Sequence, residues 1–107
     1  MYGIREIDIE GLRGLQDTGS CMLIDVRSDA EVARGMIEGA AHLPLHLLPM
    51  RVQAIRQDVP MVFYCQTGSR SAQACAFMIS KGYGNVYNLR GGIMACSRTG
   101  MNLGQVA

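Results

Sequence analysis

Short apolar runs alternate along the chain with segments whose apolar positions recur at helical spacing. Residues 4–7 form a first short strand. Asp8 caps a weak helix that carries Ile9, Leu12 and Leu15 on one face, with Gly11 and Gly14 lowering its stability. Residues 21–26 read as a buried strand. Ser28 and Glu31 then have the spacing of a capping box, for a short helix that stops near Gly35. Residues 40–43 form a short strand closed by Pro44. Pro49 suits the first turn of a helix with Val52 and Ile55 inward and Arg51, Gln53 and Arg56 outward. Residues 61–64 are a strand. Residues 72–81 are a helix apolar on nearly every side, expected to be the most buried of the helices and ended by Gly82. Residues 86–89 are a last strand. Gly91-Gly92 turns the chain into a short terminal helix, and the tail from Ser97 reads as loop.

Strands separated by helices predict an α/β fold, a mainly parallel sheet of about five strands with helices on both faces. At 107 residues the chain fits one domain, with its motif-bearing core over about 22–100 and a tail over 101–107. Ligands in such sheets bind beyond the carboxyl ends of the strands. Cys65 falls at such an end.

Composition narrows the function. A hydrophobic fraction of 49% supports a real core, and a net charge of +1 gives no bulk attraction to nucleic acid or to a membrane surface. No segment is apolar over the length a membrane helix needs, and Arg5 and Glu6 interrupt the start, so the expected location is cytoplasmic. The four cysteines, Cys21, Cys65, Cys75 and Cys96, are widely spaced, with no CxxC pair to suggest zinc or thioredoxin-type chemistry. His42 and His46 lack a companion ligand set and read as turn or surface residues, so no metal or other cofactor is expected.

The candidate chemistry lies in Cys65-Gln66-Thr67-Gly68-Ser69-Arg70-Ser71, between a buried strand and a helix start. Unpaired N–H groups at a helix N-terminus favour an anion, and a thiol placed there is favoured as thiolate, the nucleophilic form. Gly68 permits the positive φ that turns successive N–H groups inward. Arg70 adds fixed positive charge. Ser71 is a hydroxyl donor to the sulfur or a cap for the helix. Gln66, Thr67 and Ser69 contribute through their backbone. Cys75 and Cys21 read as core filler, and Cys96 as filler near the double-glycine turn.

This loop resembles the active-site loop of rhodanese domains, sulfurtransferases that carry a cysteine persulfide. Ile24-Asp25-Val26-Arg27, followed by Glu31, Gly35, Ile37, Gly39-Ala40 and Pro44, is similar to the first motif of that family. Leu89-Arg90-Gly91-Gly92 is similar to its last. The resemblance runs from about Leu23 to Gly100. It implies a single-domain rhodanese in which Cys65 accepts sulfur from a donor such as thiosulfate and passes it to a thiol or cyanide. Catalysis would rest on Cys65 and Arg70, persulfide binding on Gln66, Thr67, Gly68, Ser69 and Ser71. Asp25, Arg27 and Glu31 are expected as an ion-pair cluster that holds the first motif against the loop. Met36 and Cys96 replace a histidine and a tryptophan common in the family. Gln66 and Thr67 make the loop less basic than in thiosulfate-preferring members, which points to a protein persulfide or sulfur-carrier protein as partner.

Two other readings compete. One is a non-enzymatic rhodanese-like interaction or sensor module, opposed by the intact Cys65 and Arg70. The other is a small cysteine phosphatase or arsenate reductase. Four residues separate Cys65 from Arg70, and the phosphatase loop is longer, a roomier cradle suited to phosphate.

Overall fold

The structure, a computed structural model, describes residues 3–98 and 103–104. In chain order its elements are β1 (Glu6–Ile7), α1 (Ile9–Asp17), β2 (Met22–Asp25), α2 (Asp29–Val32), β3 (Met36–Ile37), β4 (Ala41–His42) and α3 (Leu48–Arg51). They continue with β5 (Met61–Tyr64), α4 (Ser69–Ser80), β6 (Val86–Leu89), α5 (Gly92–Arg98) and β7 (Leu103–Gly104).

Five strands form one sheet in the order β1-β6-β5-β2-β4, with every pair parallel. β5 lies at the centre, and all four of its residues are buried. Its side chains alternate between two cores, as the two-residue period of a strand requires. Met61 and Phe63 pack with Ala74, Cys75 and Met78 of α4, whereas Val62 and Tyr64 pack with Ile9 and Leu12 of α1 and Ile93 and Cys96 of α5. Helices therefore cover both faces, as the strand–helix alternation predicts.

The local capping signals hold. Asp8 accepts the Gly11 N–H at 2.8 Å at the start of α1. Ser28 and Glu31 complete a reciprocal capping box at the start of α2. Other expectations need correction. The first strand is confined to Glu6–Ile7. The helix begun at Pro49 stops at Arg51 and passes into a 3₁₀ turn over Val52–Ala54, and Ile55 is extended. The Tyr83 hydroxyl, reaching across from the end of α4, donates to the carbonyls of Val52 at 2.7 Å and Ile55 at 3.2 Å. The Val52 carbonyl also accepts the Ile55 N–H at 3.2 Å, so the 3₁₀ turn and the Tyr83 hydroxyl together close this end of the segment.

α4 starts three residues before the apolar run, because the glycine loop itself delivers the chain into helix at Ser69. It is also not buried all round: Ala72, Ala74, Cys75 and Met78 are buried, but Ala76 is exposed and Ile79 is 42% exposed. Only one face meets the sheet, and alanine is tolerated on either side. The tail is not all loop. α5 continues through Arg98, and Leu103–Gly104 pairs antiparallel with the short strand β3, which the sequence pattern did not reveal. The rest of that tail lies outside the described residues.

Candidate active site

Cys65 follows the last residue of the central strand, so the sheet places it at the crest of the molecule, where α4 begins. The residue is 1% exposed, and its sulfur is met by a ring of donors. The Gly68 N–H reaches Sγ at 3.1 Å, the Ser71 N–H at 3.5 Å and the Ser71 hydroxyl at 3.4 Å. Gly68 has φ +116°, a value that side-chain-bearing residues rarely adopt, and this turn aims the loop N–H groups inward.

The electrostatics separate Cys65 from the other cysteines. Burial pushes its thiol pKa up, but hydrogen bonds from the Ser71 hydroxyl, from the Ser71 and Gly68 N–H groups and from Thr67 more than offset this, and the net shift is downward. Burial alone pushes Cys75 up to about 12 and raises Cys21. Cys96 is raised mainly by burial as well. Among the four thiols, Cys65 alone is shifted toward the thiolate.

The loop is held from behind by α5. The Ile93 N–H donates to the Cys65 carbonyl at 2.9 Å, and the Met94 N–H to the Gln66 carbonyl at 3.3 Å. With these two carbonyls turned toward α5, the loop N–H groups turn toward the sulfur. Gly92 makes this approach possible: a Cβ there would lie 2.4 Å from the Gln66 oxygen and 2.5 Å from the Cys65 oxygen. The double glycine is therefore part of the site and not merely a turn.

The charged residues are arranged differently from the expected single cluster of Asp25, Arg27 and Glu31. Asp25, fully buried, holds Arg27 through contacts of 3.0 Å to Nε and 2.8 Å to Nη2, and accepts the Arg27 N–H at 2.9 Å. Arg27 also donates to the Gly35 carbonyl at 2.8 Å, and its own carbonyl accepts from His42 Nε2 at 2.8 Å. This pair braces the turn after β2. Glu31 does not join it. Its two oxygens take the Arg70 guanidinium at 2.6 and 2.8 Å, and so tie α2 to the first turn of α4. The Arg70 bond, with further bonds from Ser28, holds the Glu31 carboxyl at about 2, so it is charged throughout the neutral range. Arg70 is thus part of the site's frame, its charge largely balanced by Glu31. Glu31 lines a cleft of about 330 Å³ with Arg34, Gln66 and Met94, and Arg70 lines a second cleft of about 600 Å³ with Pro44, Leu45 and His46, so the ion pair stands between the two.

One residue of the site escaped the sequence reading. Asn88, on β6 and 3% exposed, reaches Ser71 and Gly68 with the two ends of its amide. The available signal was a lone polar residue between Tyr87 and Leu89 in an otherwise apolar strand. Among the described residues, no group of three or more His, Cys, Asp or Glu side chains is placed to hold a metal ion.

The chain matches the rhodanese-like domain family over residues 8–99. It belongs to the rhodanese family. A sulfurtransferase of Allochromatium vinosum is 50% identical over 99 residues, covering 92% of both chains. Thiosulfate sulfurtransferase GlpE of Stutzerimonas stutzeri is 32% identical over 92 residues, covering 86% of this chain and 84% of that one. A crystal structure of a rhodanese-related protein from Thermoplasma volcanium superposes with a TM-score of 0.85 at 24% identity, covering 95% of this chain and 99% of that one, and shows the fold. With a half-identical sulfurtransferase matching along nearly its full length, the chain is a rhodanese-type sulfurtransferase.

Proposed function

We propose that this rhodanese domain moves a sulfane sulfur through a persulfide on Cys65. The observation that supports it most directly is the ring of donors converging on Sγ, and among the described residues no carboxylate or imidazole is hydrogen-bonded to it. Sulfur transfer needs just that. The Cys65 thiolate attacks the outer sulfur of a donor, a new S–S bond forms, and the donor's own S–S bond breaks with its electron pair leaving on sulfite or on a thiolate. An acceptor thiolate or cyanide then attacks the outer sulfur, and Cys65 departs as thiolate. Both steps carry negative charge on sulfur, and fixed N–H dipoles stabilise that charge without reorganising.

The site also bears on the donor. Arg70 is neutralised by Glu31 and Arg27 by Asp25, so of the arginines lining the two clefts only the exposed Arg34 stands outside these ion pairs, and a small anion meets little fixed charge. This favours a donor that brings its sulfur on a thiol, such as a protein persulfide or sulfur-carrier protein, over thiosulfate. Thiosulfate remains usable, and Arg70 supplies the residual pull on it.

The test is an intact mass. Wild-type protein incubated with thiosulfate or an alkyl persulfide gains one sulfur, about 32 Da, and Cys65→Ser gains none. Absence of any adduct from either donor would sink the proposal, and phosphate-ester turnover by the unadducted protein would replace it with the phosphatase reading.

The donor preference has its own measurement. Glu31→Gln keeps a hydrogen bond to Arg70 but releases its charge. The ratio of kcat/KM for thiosulfate over that for an uncharged persulfide is expected to rise about threefold, the scale of one partly exposed ion pair. Arg70→Ala is expected to lower the same ratio. If both variants move the two donors equally, Arg70 has no anion-binding part.

A further inference from the structure

Ser71 has one hydroxyl hydrogen and two claimants for it. Its Oγ lies 3.4 Å from Cys65 Sγ and 2.6 Å from Asn88 Oδ1. The Asn88 amide cannot be turned over, because its other end meets the Gly68 carbonyl at 3.0 Å. That carbonyl only accepts, so the NH₂ must face it and Oδ1 must face Ser71. Oδ1 is also only an acceptor. At 2.6 Å the Ser71 hydrogen therefore lies between the two oxygens when the sulfur is protonated, and the thiol S–H can complete a chain to Oγ. A thiolate has no hydrogen to give. Once it forms, the sulfur and Oδ1 compete for the same hydrogen.

We infer that Asn88 is a positioning residue of the sulfur cradle: one end of its amide pins the Gly68 carbonyl, and the other shares the Ser71 hydrogen with Cys65. Ser71 is 0% exposed and Asn88 3%, so no solvent hydrogen can serve whichever acceptor loses. Turning Ser71 to the sulfur strands a buried amide oxygen, and leaving it on Asn88 leaves the sulfur to the backbone N–H groups alone. Asn88 thereby opposes ionisation of Cys65 while it fixes the loop that favours it. The charged groups on the surrounding elements are Arg70 on α4, Asp25 and Arg27 at the end of β2, Glu31 on α2, and Glu6 on β1, the register partner of Asn88, with Arg90 just after β6. They are paired with one another, and the hydrogen bonds described for them go to partners other than Ser71 and Asn88.

The inference rests on Cys65 being the reacting thiol, but its test needs no sulfur donor, so the two can fail separately. Iodoacetamide alkylates the thiolate, and the modified Cys65 peptide can be followed by mass across pH. Asn88→Leu, which keeps the branched side-chain shape and removes both the acceptor for Ser71 and the donor to Gly68, is expected to raise the rate below the wild-type midpoint by about threefold to tenfold, the range of one hydrogen bond. Asn88→Asp, which keeps an acceptor, is expected to give no rise. In a Ser71→Ala background, Asn88→Leu is expected to have no accelerating effect. A midpoint unmoved by Asn88→Leu, or moved equally with and without the Ser71 hydroxyl, overturns the inference. A measurement on the unmutated chain guards against a variant that fails to fold: the carbon-13 shift of the Asn88 side-chain carbonyl should titrate with Cys65, and an Asn88 signal flat through that midpoint also overturns it.

Discussion

Gly92→Ala is expected to lower folding stability by about 3 kcal/mol or more and to remove most sulfur uptake by Cys65. Two penalties combine. The residue has φ +61°, where an L side chain is strained. Its new Cβ would also press into the carbonyl oxygens of Gln66 and Cys65 at 2.4 and 2.5 Å, and backbone atoms cannot swing aside as a side chain can. α5 must back away, and the Ile93 and Met94 N–H bonds to those same carbonyls stretch or break. The loop then loses what turns its N–H groups toward the sulfur. Stability and chemistry should therefore fall together, read by thermal unfolding and by the intact-mass assay on protein held well below its melting temperature. A Gly92→Ala protein that melts with wild type and takes up sulfur at the wild-type rate would refute the account of the double glycine as a support for the loop.

That support illustrates what the sequence carried and what it did not. Cys65, Gly68, Arg70 and Ser71 are legible because they lie in one contiguous stretch whose spacing alone implies a strand end, a turn and a helix start. The parallel sheet is legible because apolar runs and helical periods alternate, and both N-caps are written in residues three apart. What escaped depends on contacts between segments distant in the chain. Glu31 and Arg70 are 39 residues apart and Asn88 and Ser71 are 17 apart, and nothing local says that either pair meets. The trio Asp25, Arg27 and Glu31 looked like one cluster because its members are near in sequence. Glu31 shares a cleft with Arg27, but its hydrogen bonds go to Arg70 on α4. β3 and β7 were missed for a related reason: they pair only with each other, across more than sixty residues, and that pairing is visible only once the chain has returned. The 3₁₀ turn that follows α3 is met by a tyrosine from another segment, a contact the local sequence does not show.

Asp25→Ala tests the other charged pair, where the largest expected effect is on folding. Asp25 is 0% and Arg27 4% exposed, so the guanidinium depends on this carboxylate for its charge balance. Burial pushes the Arg27 pKa down, and the hydrogen bond and charge of Asp25 more than restore it, a sign that the pair is held together as ions. Without Asp25, Arg27 keeps the Gly35 carbonyl and the face of Tyr64, 5.9 Å from the ring centre, neither of which cancels its charge. Leaving one member of a buried ion pair unpaired costs about 3–5 kcal/mol, which for a domain of this size lowers the melting temperature by roughly 15–30 °C. The loss should be largely recovered by replacing both members with apolar residues, as in Asp25→Val with Arg27→Met, because the penalty lies in the orphaned charge and not in the missing attraction. Circular dichroism melts of the single and double variants decide this. A single variant that melts within about 2 °C of wild type would mean that water reaches Arg27 and that the pair is not the buried brace described. A double variant as unstable as the single would mean that the turn after β2 needs the hydrogen bonds themselves, including the one from the Arg27 N–H to Asp25 that holds the chain as it leaves the strand.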